Sequence, residues 1–455
     1  MPSLLPLLPA HPDDTVVAWH DARPVSRARF LAQIRHLATQ LPDVPEVVNL
    51  CQSRYWFSLS LLACALRGIR SLLPHALAPE SLTGVWAQAP QAPALWDNPP
   101  AETSLKPPAV LDVRALMAQP QQAAVPGEPA IPAEQVVARV FTSGSTGRPQ
   151  SHDKSWGPLC ASVQATSERL WSAAGGPCSV VGTVSFRHMY GLESTVLLPL
   201  LGGGVLTDEQ PFFPADIAAS LAQVPGRRLL VSTPFHLRKL LEAQQDLPPL
   251  DLLLSATAPL GLPVAQTAES RLGAPLLEIY GATETGQVAT RRTTEGTAWR
   301  LLAGCELRQD AQGGLTIQGS SQGQPQPVHD LLEITGPDTF ELIDRPGNLV
   351  NIVGKRSSLS YLNQVLTSLP GVVDGVYCLP PARGSSDDTR LAAFVVAPDQ
   401  QAGEILHALR AHVDPVFLPR PLVRVEHLPR DANGKITSAT VQALIRQHLD
   451  GTDAA

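Results

Sequence analysis

Three stretches constrain the fold most: "RLLVSTP" (Arg228–Pro234), "LDLLLSATAPL" (Leu250–Leu260) and "PLLEIYGATETG" (Pro275–Gly286). Each is an apolar run of strand length with little polar alternation. Each then breaks into small, hydroxyl-bearing or glycine residues. Strands apolar on both faces are buried on both, as in parallel sheets covered by helices. Ligands of open parallel sheets bind at the carboxyl ends of the strands, so these three loops are expected to converge on one crevice.

The flanking sequence keeps the same rhythm. Residues 15–80 alternate short strand-like runs (Thr15–Trp19, Val47–Leu50) with helical patterns. "SRARFLAQIRHLATQL" places Phe30, Leu31, Ile34, Leu37 and Leu41 at helical spacing behind a Ser26 cap. This alternation predicts an α/β layer fold with mostly parallel strands. Residues 83–133 are rich in Pro, Ala and Gln and read as connections around short elements. From about Cys305 the texture changes. "CELRQDAQGGLTIQGSSQGQ" predicts a small hairpin or β-barrel region, and "DRPGN" at 344–348 a hinge. A helix ("SLSYLNQVLTSL"), two strands ("GVYCL", "LAAFVVA") and two further helices then predict a separate small α/β domain. The expected division is 1–346 and 347–455.

At 455 residues the chain exceeds one ordinary core. A net charge of −7 argues against nucleic acid as the main partner, since backbone binding needs a clustered cationic surface. The six cysteines are scattered without a C-x-x-C pair, which argues against a zinc knuckle or a disulfide framework. "FSLSLLACALRGIRSLL" is the longest apolar stretch. Arg67 and Arg70 interrupt it, so it reads as a buried core helix and not a membrane span. With no secretory n-region at the N-terminus, a cytoplasmic location is expected.

Three motifs carry chemistry. The apolar run from Val136 opens into Thr142-Ser143-Gly144-Ser145-Thr146-Gly147, where glycines admit backbone N–H groups to a polyphosphate and hydroxyls add donors. No Walker lysine follows, and taken alone the stretch is equally an ordinary Gly/Ser turn. "EIYGATETG" (Glu278–Gly286) offers an aromatic followed by Gly281 for a flat base. It also offers Thr283 as a phosphate donor and Glu284 as a hard oxygen ligand for Mg²⁺. The Glu278 carboxylate is an acceptor for an adenine amino group. "LPRDANGKI" (Leu428–Ile436) projects Lys435 from an Asn433-Gly434 turn; alone, it is a hairpin tip with a solvated lysine.

In this order and spacing the three resemble the adenylate-forming superfamily: acyl- and aryl-CoA synthetases, peptide-synthetase adenylation domains and luciferases. The resemblance runs from about Thr15 to Leu449. "HDLLEITGPDTFELIDRPGNLVNIVGKR" resembles the family's ribose-binding and hinge segment, with Asp330 on the ribose position and Arg345 on the arginine. "SFRHMYGLESTVLLPL" resembles the segment whose histidine and aromatic shape the acyl pocket.

The resemblance implies that a carboxylate attacks the α-phosphate of ATP and that a thiol then displaces AMP. It implies Lys435 between carboxylate and phosphate, Mg²⁺ on Glu284 and Thr283 on the α-phosphate. Thr142–Gly147 would lie around the β- and γ-phosphates, and Ala258, Tyr280 and Gly281 around the adenine. It further implies rotation of the small domain about Gly347, bringing the loop with Gly354 toward the thiol, either CoA or the phosphopantetheine of an acyl carrier protein.

This chain departs from the family pattern at four places. The loop ends Gly147-Arg-Pro-Gln150 where the family has Gly-x-Pro-Lys, leaving Arg148 or Lys154 as replacement cations. The adenine loop reads Ser255-Ala-Thr-Ala-Pro259 in place of Ser-Gly-Gly-Ala-Pro. The hinge residue is Gly347, and the hinge Gly-Arg reads Asp344-Arg345. The amine-binding Asp of amino-acid-activating members is missing from Phe186-Arg-His-Met, so His188, Tyr190 and Thr257 imply an aryl or acyl acid. Phrases such as "SLLPHALAPESL" resemble hydroxybenzoate-activating ligases of aryl-polyene and xanthomonadin-type pigment pathways, which load a carrier protein. The alternatives are a CoA ligase and a non-catalytic nucleotide-binding member.

Overall fold

In the computed structural model, residues 3–449 are described except 101–106, 121–126, 143–149, 311, 313, 320–324, 329, 345–347, 353–354, 381–389 and 431–435. Two large sheets dominate. The first has six strands in the spatial order Gln150–Ser155, Val136–Thr142, Arg70–Leu73, Glu46–Asn49, Ala94–Trp96 and Val110–Asp112. Only its first pair is antiparallel.

The second sheet has eleven strands. Its centre is parallel: Val16–His20, Val205–Thr207, Ser179–Gly182, Arg228–Ser232, Leu252–Ser255 and Leu276–Ala282 lie side by side. Strand Arg23–Ser26 closes one edge by folding back on Val16–His20. Beyond Leu276–Ala282 the sheet turns antiparallel through Gly286–Arg291, Ala298–Leu301, Thr339–Asp344 and Leu331–Ile334. The three leucine-rich runs of the sequence are thus neighbouring strands. Leu230 and Leu253 face one buried cluster while Leu229, Leu252 and Leu254 face another, which is why their sequences show no alternation.

Helix Arg27–Gln40 begins where expected, with the Ser26 hydroxyl accepting from the Arg29 N–H at 3.3 Å. The stretch read as one core helix divides in two. Helix Arg54–Leu66 ends at a turn in which Gly68 has φ +71°, and Arg70–Leu73 is a strand of the first sheet. Residues 83–133 hold more structure than their composition announced, supplying the strands Ala94–Trp96 and Val110–Asp112. The region after Cys305 is a hairpin, Glu306–Gln309 with Leu315–Gln318. Gln326–Pro327 extends it to a three-stranded open sheet among the described residues, rather than a barrel.

A smaller α/β unit follows. Strands Asp374–Cys378, Ala392–Val396 and Leu422–Arg424 form its sheet. Helices Leu359–Ser368, Ala402–Leu409 and Ser438–His448 accompany it, with one buried cluster around Leu362, Phe417 and Ile405 and another around Phe394 and Leu444. The expected boundary at 346/347 lies outside the described residues. All six cysteines are free thiols, and all but Cys160 are buried. No helix among the described residues is long and apolar enough to cross a membrane.

Arg54 ties helix Arg54–Leu66 to the second sheet. Its side chain has 0% exposure and donates to the carbonyls of Thr207 (2.9 Å), Glu209 (2.6 Å) and Gly182 (2.9 Å). Replacing it with Met fills the volume but strands buried carbonyls. Arg54→Met is expected to lower unfolding free energy by about 3 kcal/mol, read from urea unfolding.

Candidate functional site

Strands Ser179–Gly182, Arg228–Ser232, Leu252–Ser255 and Leu276–Ala282 run in one direction and end together. Their exits are stitched to each other. Thr183 Oγ1 lies 3.2 Å from Ser232 Oγ. The Tyr190 hydroxyl donates to the carbonyls of Ser232 (3.1 Å) and Leu254 (3.3 Å). Burial pushes that hydroxyl's pKa well up, so Tyr190 contributes a ring and not an acid. His188 is the residue before the short helix Met189–Gly191 and is half-buried beside it. Gly191 is required there, since a Cβ would lie 2.0 Å from the Ser185 carbonyl oxygen.

The segment Ser255–Pro259 leaves the next strand. Ala258 and Pro259 are exposed, and Thr257 has φ +79°. A β-branched residue in the left-handed region is strained, and such strain collects at sites. The backbone thus keeps a glycine-like conformation where the side chain is Thr.

Strand Leu276–Ala282 and strand Gly286–Arg291 form a hairpin whose tip is Thr283-Glu284-Thr285. The tip is tight: a Cβ on Gly281 would lie 2.1 Å from the Gly286 oxygen. Thr285 Oγ1 accepts from Ala282 N–H at 3.0 Å and donates to Gly286 O at 3.0 Å. Thr285 is consumed by the turn, which leaves Thr283 half-buried and Glu284 exposed. The Tyr280 ring packs on Phe340 (5.4 Å) and Trp299 (5.7 Å), and its hydroxyl donates to Asp330 Oδ2 at 2.7 Å. An aromatic face and a carboxylate, distant in sequence, are brought together there.

Glu278 is committed elsewhere. It is buried, accepting from Arg291 (Nε, 2.9 Å), from Thr293 Oγ1 and from Leu260 N–H (3.3 Å). It holds its strand to the Ser255–Leu260 segment.

The phosphate-loop motif connects two paired antiparallel strands. Thr142 ends one strand and pairs with Gln150, which starts the next. Ser143, Gly144, Ser145, Thr146, Gly147 and Arg148 lie outside the described residues, as do Arg345, Gly347, Gly354 and Lys435. The segment leading to Lys435 is nonetheless anchored: Arg430 makes a two-pronged pair with Asp374 (2.9 and 2.6 Å) and sits 5.2 Å over the Phe235 ring.

Two buried ionisable residues lie at this junction: Lys154, which the sequence offered as a replacement cation for the loop, and Glu193, which it did not mark. Lys154 is wholly buried, and its Nζ donates to the carbonyl oxygens of Thr283 and Glu284 (the latter at 3.4 Å). Desolvation pulls its pKa down to about 8, against the pull of Glu193 and Glu284. Glu193, on a π-helical turn over Leu192–Leu197, is buried and accepts from Ser162 Oγ at 2.9 Å. Burial pushes its carboxyl up to about 7. No local pattern marked Glu193; only its place in an otherwise apolar run set it apart.

Mg²⁺ fits Glu284 on the chemistry of its donor. The side chain is 47% exposed at a turn tip, and its Oε1 is 3.6 Å from His152 Nε2. Desolvation, aided by Lys154, holds His152 below its ordinary pKa despite Glu284.

Comparison with known proteins identifies the family. Residues 9–319 match the family model "AMP-binding enzyme", and the chain belongs to that family. It is 35% identical over 265 residues to a 4-coumarate–CoA ligase of Rhodobacter capsulatus, covering 58% of this chain and 64% of that protein. It is 26% identical over 310 residues to the p-hydroxybenzoic acid–AMP ligase FadD22 of Mycobacterium tuberculosis, covering 66% and 42%. Among solved structures, it superposes on o-succinylbenzoate CoA synthetase (MenE) from Bacillus subtilis in complex with the acyl-adenylate intermediate OSB-AMP. There the TM-score is 0.79 at 18% identity, with 94% and 95% of the two chains covered.

Two outcomes are expected. Thr257→Gly releases the strained backbone and raises stability by about 1 kcal/mol in urea unfolding. The second concerns Glu193. Its folded pKa is raised, so its favourable contribution is complete below about pH 4.5 and is lost as pH rises through about 7. Wild-type stability relative to Glu193→Gln therefore falls across that window; parallel pH series of unfolding curves measure it.

Proposed function

We propose that this protein is an ATP-dependent acid–thiol ligase that activates an aryl carboxylic acid, 3- or 4-hydroxybenzoate in the first instance. The acyl group then passes to the phosphopantetheine thiol of an acyl carrier protein. The observation that carries this reading is the meeting of two hairpins. One is tipped by the hydroxyl- and glycine-rich loop and the other by Thr283–Glu284, beside a Tyr280–Asp330 pair suited to a nucleoside.

Each residue has a stated task. The Tyr280 ring and Asp330 carboxylate receive the adenosine, with Ala258 and Gly281 leaving room for the flat base. Residues Thr142 to Gly147 receive the outer phosphates, and the Thr283 hydroxyl donates to the α-phosphate. A magnesium ion on Glu284 supplies neutralisation of the phosphate charge. Lys435 bridges the acid's carboxylate and the α-phosphate, two anions that otherwise repel. A carboxylate oxygen then bonds to the α-phosphorus, the bond to the bridging oxygen breaks, and pyrophosphate leaves. In the second step the thiol sulfur attacks the acyl carbon and AMP departs with the electron pair. Arg345 and Gly347 serve the hinge, and Gly354 the thiol step, in the division of the chain at 346/347.

The imidazole of His188 and the ring of Tyr190, with Thr257 on the adjoining loop, are the side chains we assign to an aryl acid. The names of the two relatives, one acting on 4-coumarate and one on p-hydroxybenzoic acid, point the same way. The first relative also supports a second reading, with CoA as the acceptor.

Acid-dependent ATP–pyrophosphate exchange across hydroxybenzoates, cinnamates and fatty acids tests the reading; silence with every acid rejects it. Incubating the adenylate with CoA or with a phosphopantetheinyl carrier protein separates the acceptors. Lys435→Ala is expected to slow adenylation by about 100-fold or more while sparing thiol transfer from preformed acyl-AMP. Equal loss in both half-reactions would reject its role.

A further inference from the structure

Strand Gln150–Ser155 runs along the back of the site. Gln150, His152 and Lys154 are two residues apart in turn and so share a face of the strand. That face meets the Thr283–Glu284 turn at two points: His152 lies beside the Glu284 carboxylate, and Lys154 reaches the backbone beneath it. The position nearest the phosphate loop, Gln150, carries no charge, and the cation of this strand is four residues further on, wholly buried.

Burying an ammonium is costly, and packing alone does not call for it. Lys154 pairs in register with the fully buried Ala138, a position where Met or Leu fills the same volume without desolvation. The charge is compensated by a specific set: two consecutive carbonyls of one turn, and the field of the buried Glu193. Glu193 Oε1 takes the Ser162 hydroxyl, while its Oε2 is buried without a hydrogen-bond partner. A carboxylate left half-satisfied against a buried ammonium belongs to a charge-balancing pair more than to a packed core.

We propose that Lys154 is a positioning residue for the adenylation step, braced by Glu193. Its ammonium holds the Thr283 and Glu284 carbonyls from beneath, so that the hydroxyl and carboxylate of the same two residues project toward the α-phosphate and its counter-ion. It touches neither substrate nor metal. The inference rests on the proposed nucleotide site, and its effect is on the geometry of that site and not on its own titration.

The test uses the full-length protein in three forms: wild type, Lys154→Met, and Lys154→Met/Glu193→Gln. The single variant leaves an uncompensated buried carboxylate and is expected to lose thermal stability. The double variant removes both charges, and the Thr283 and Glu284 carbonyls, at a turn that reaches solvent, take water in place of the ammonium, so it is expected to regain the wild-type unfolding midpoint. Two readouts then separate positioning from packing. AMP affinity by calorimetry in EDTA is expected to fall about tenfold in the double variant, the size of one lost charge-assisted hydrogen bond at the turn. In ATP–pyrophosphate exchange its kcat is expected to fall about 10- to 100-fold with KM for the acid unchanged. A double variant as stable as wild type that also binds AMP and exchanges normally overturns the proposal. If wild type binds AMP yet exchanges with no acid, the ligase reading fails while the AMP measurement still decides the role of Lys154. If wild type binds no AMP, both fall.

Discussion

Burial of both faces of the central parallel strands leaves their ends as the place where polar chemistry can reach solvent. Leu229, Leu230, Leu252, Leu253 and Leu254 are all inaccessible, so nothing along these strands can bind a polar ligand. Their carboxyl ends must then carry every donor and acceptor the site has. The hydroxyl of Tyr190 turns that constraint into a fixed geometry, bonding to the last turns of two neighbouring strands at once. Loops that would otherwise move independently share one anchor.

The first sheet carries the Val136–Thr142 and Gln150–Ser155 pair and the second the Thr283–Glu284 turn, so the candidate site exists only where two separately built layers are held in register. Arg54 does this at depth, holding the helix that follows strand Glu46–Asn49 of the first sheet to carbonyls at the strand ends of the second. Lys154 does it at the site, extending from the first sheet to the backbone of the second. Both use a buried cation to satisfy carbonyls that leave their own ladders, a need that apolar packing cannot meet.

Much of this was legible from residue patterns because the relevant signals are local. The leucine runs, the Ser26 cap, the Thr283–Glu284 turn and the strands and helices of the small C-terminal unit each depend on neighbours in sequence. Tyr280 and Asp330 were singled out separately, and their contact follows from a sheet that brings residue 280 to Phe340 and the segment before it. The parts that were not legible are long-range. Whether Glu278 faces a ligand or Arg291 depends on the register of an antiparallel return strand. The depth of Lys154 depends on how one sheet stacks on another. The split of the apolar stretch after Leu66 turned on a single glycine whose left-handed conformation outweighed continuous hydrophobicity. The Pro- and Ala-rich connections hid strands of three residues, too short for any periodicity to mark.

The cysteines carry a practical consequence. Cys64, Cys160, Cys178 and Cys378 have thiols pushed up to about 12, and Cys51 is pushed higher still, in each case chiefly by burial. Thiolate is the form that reacts with electrophiles, and an ordinary exposed cysteine ionises near pH 8.5. A cysteine introduced at exposed Gly403, where a side chain meets nothing within 4 Å, would therefore outcompete these five native thiols for a maleimide fluorophore. The orientation of the small C-terminal unit can then be followed by fluorescence in the native-cysteine background, with no residue of the core replaced.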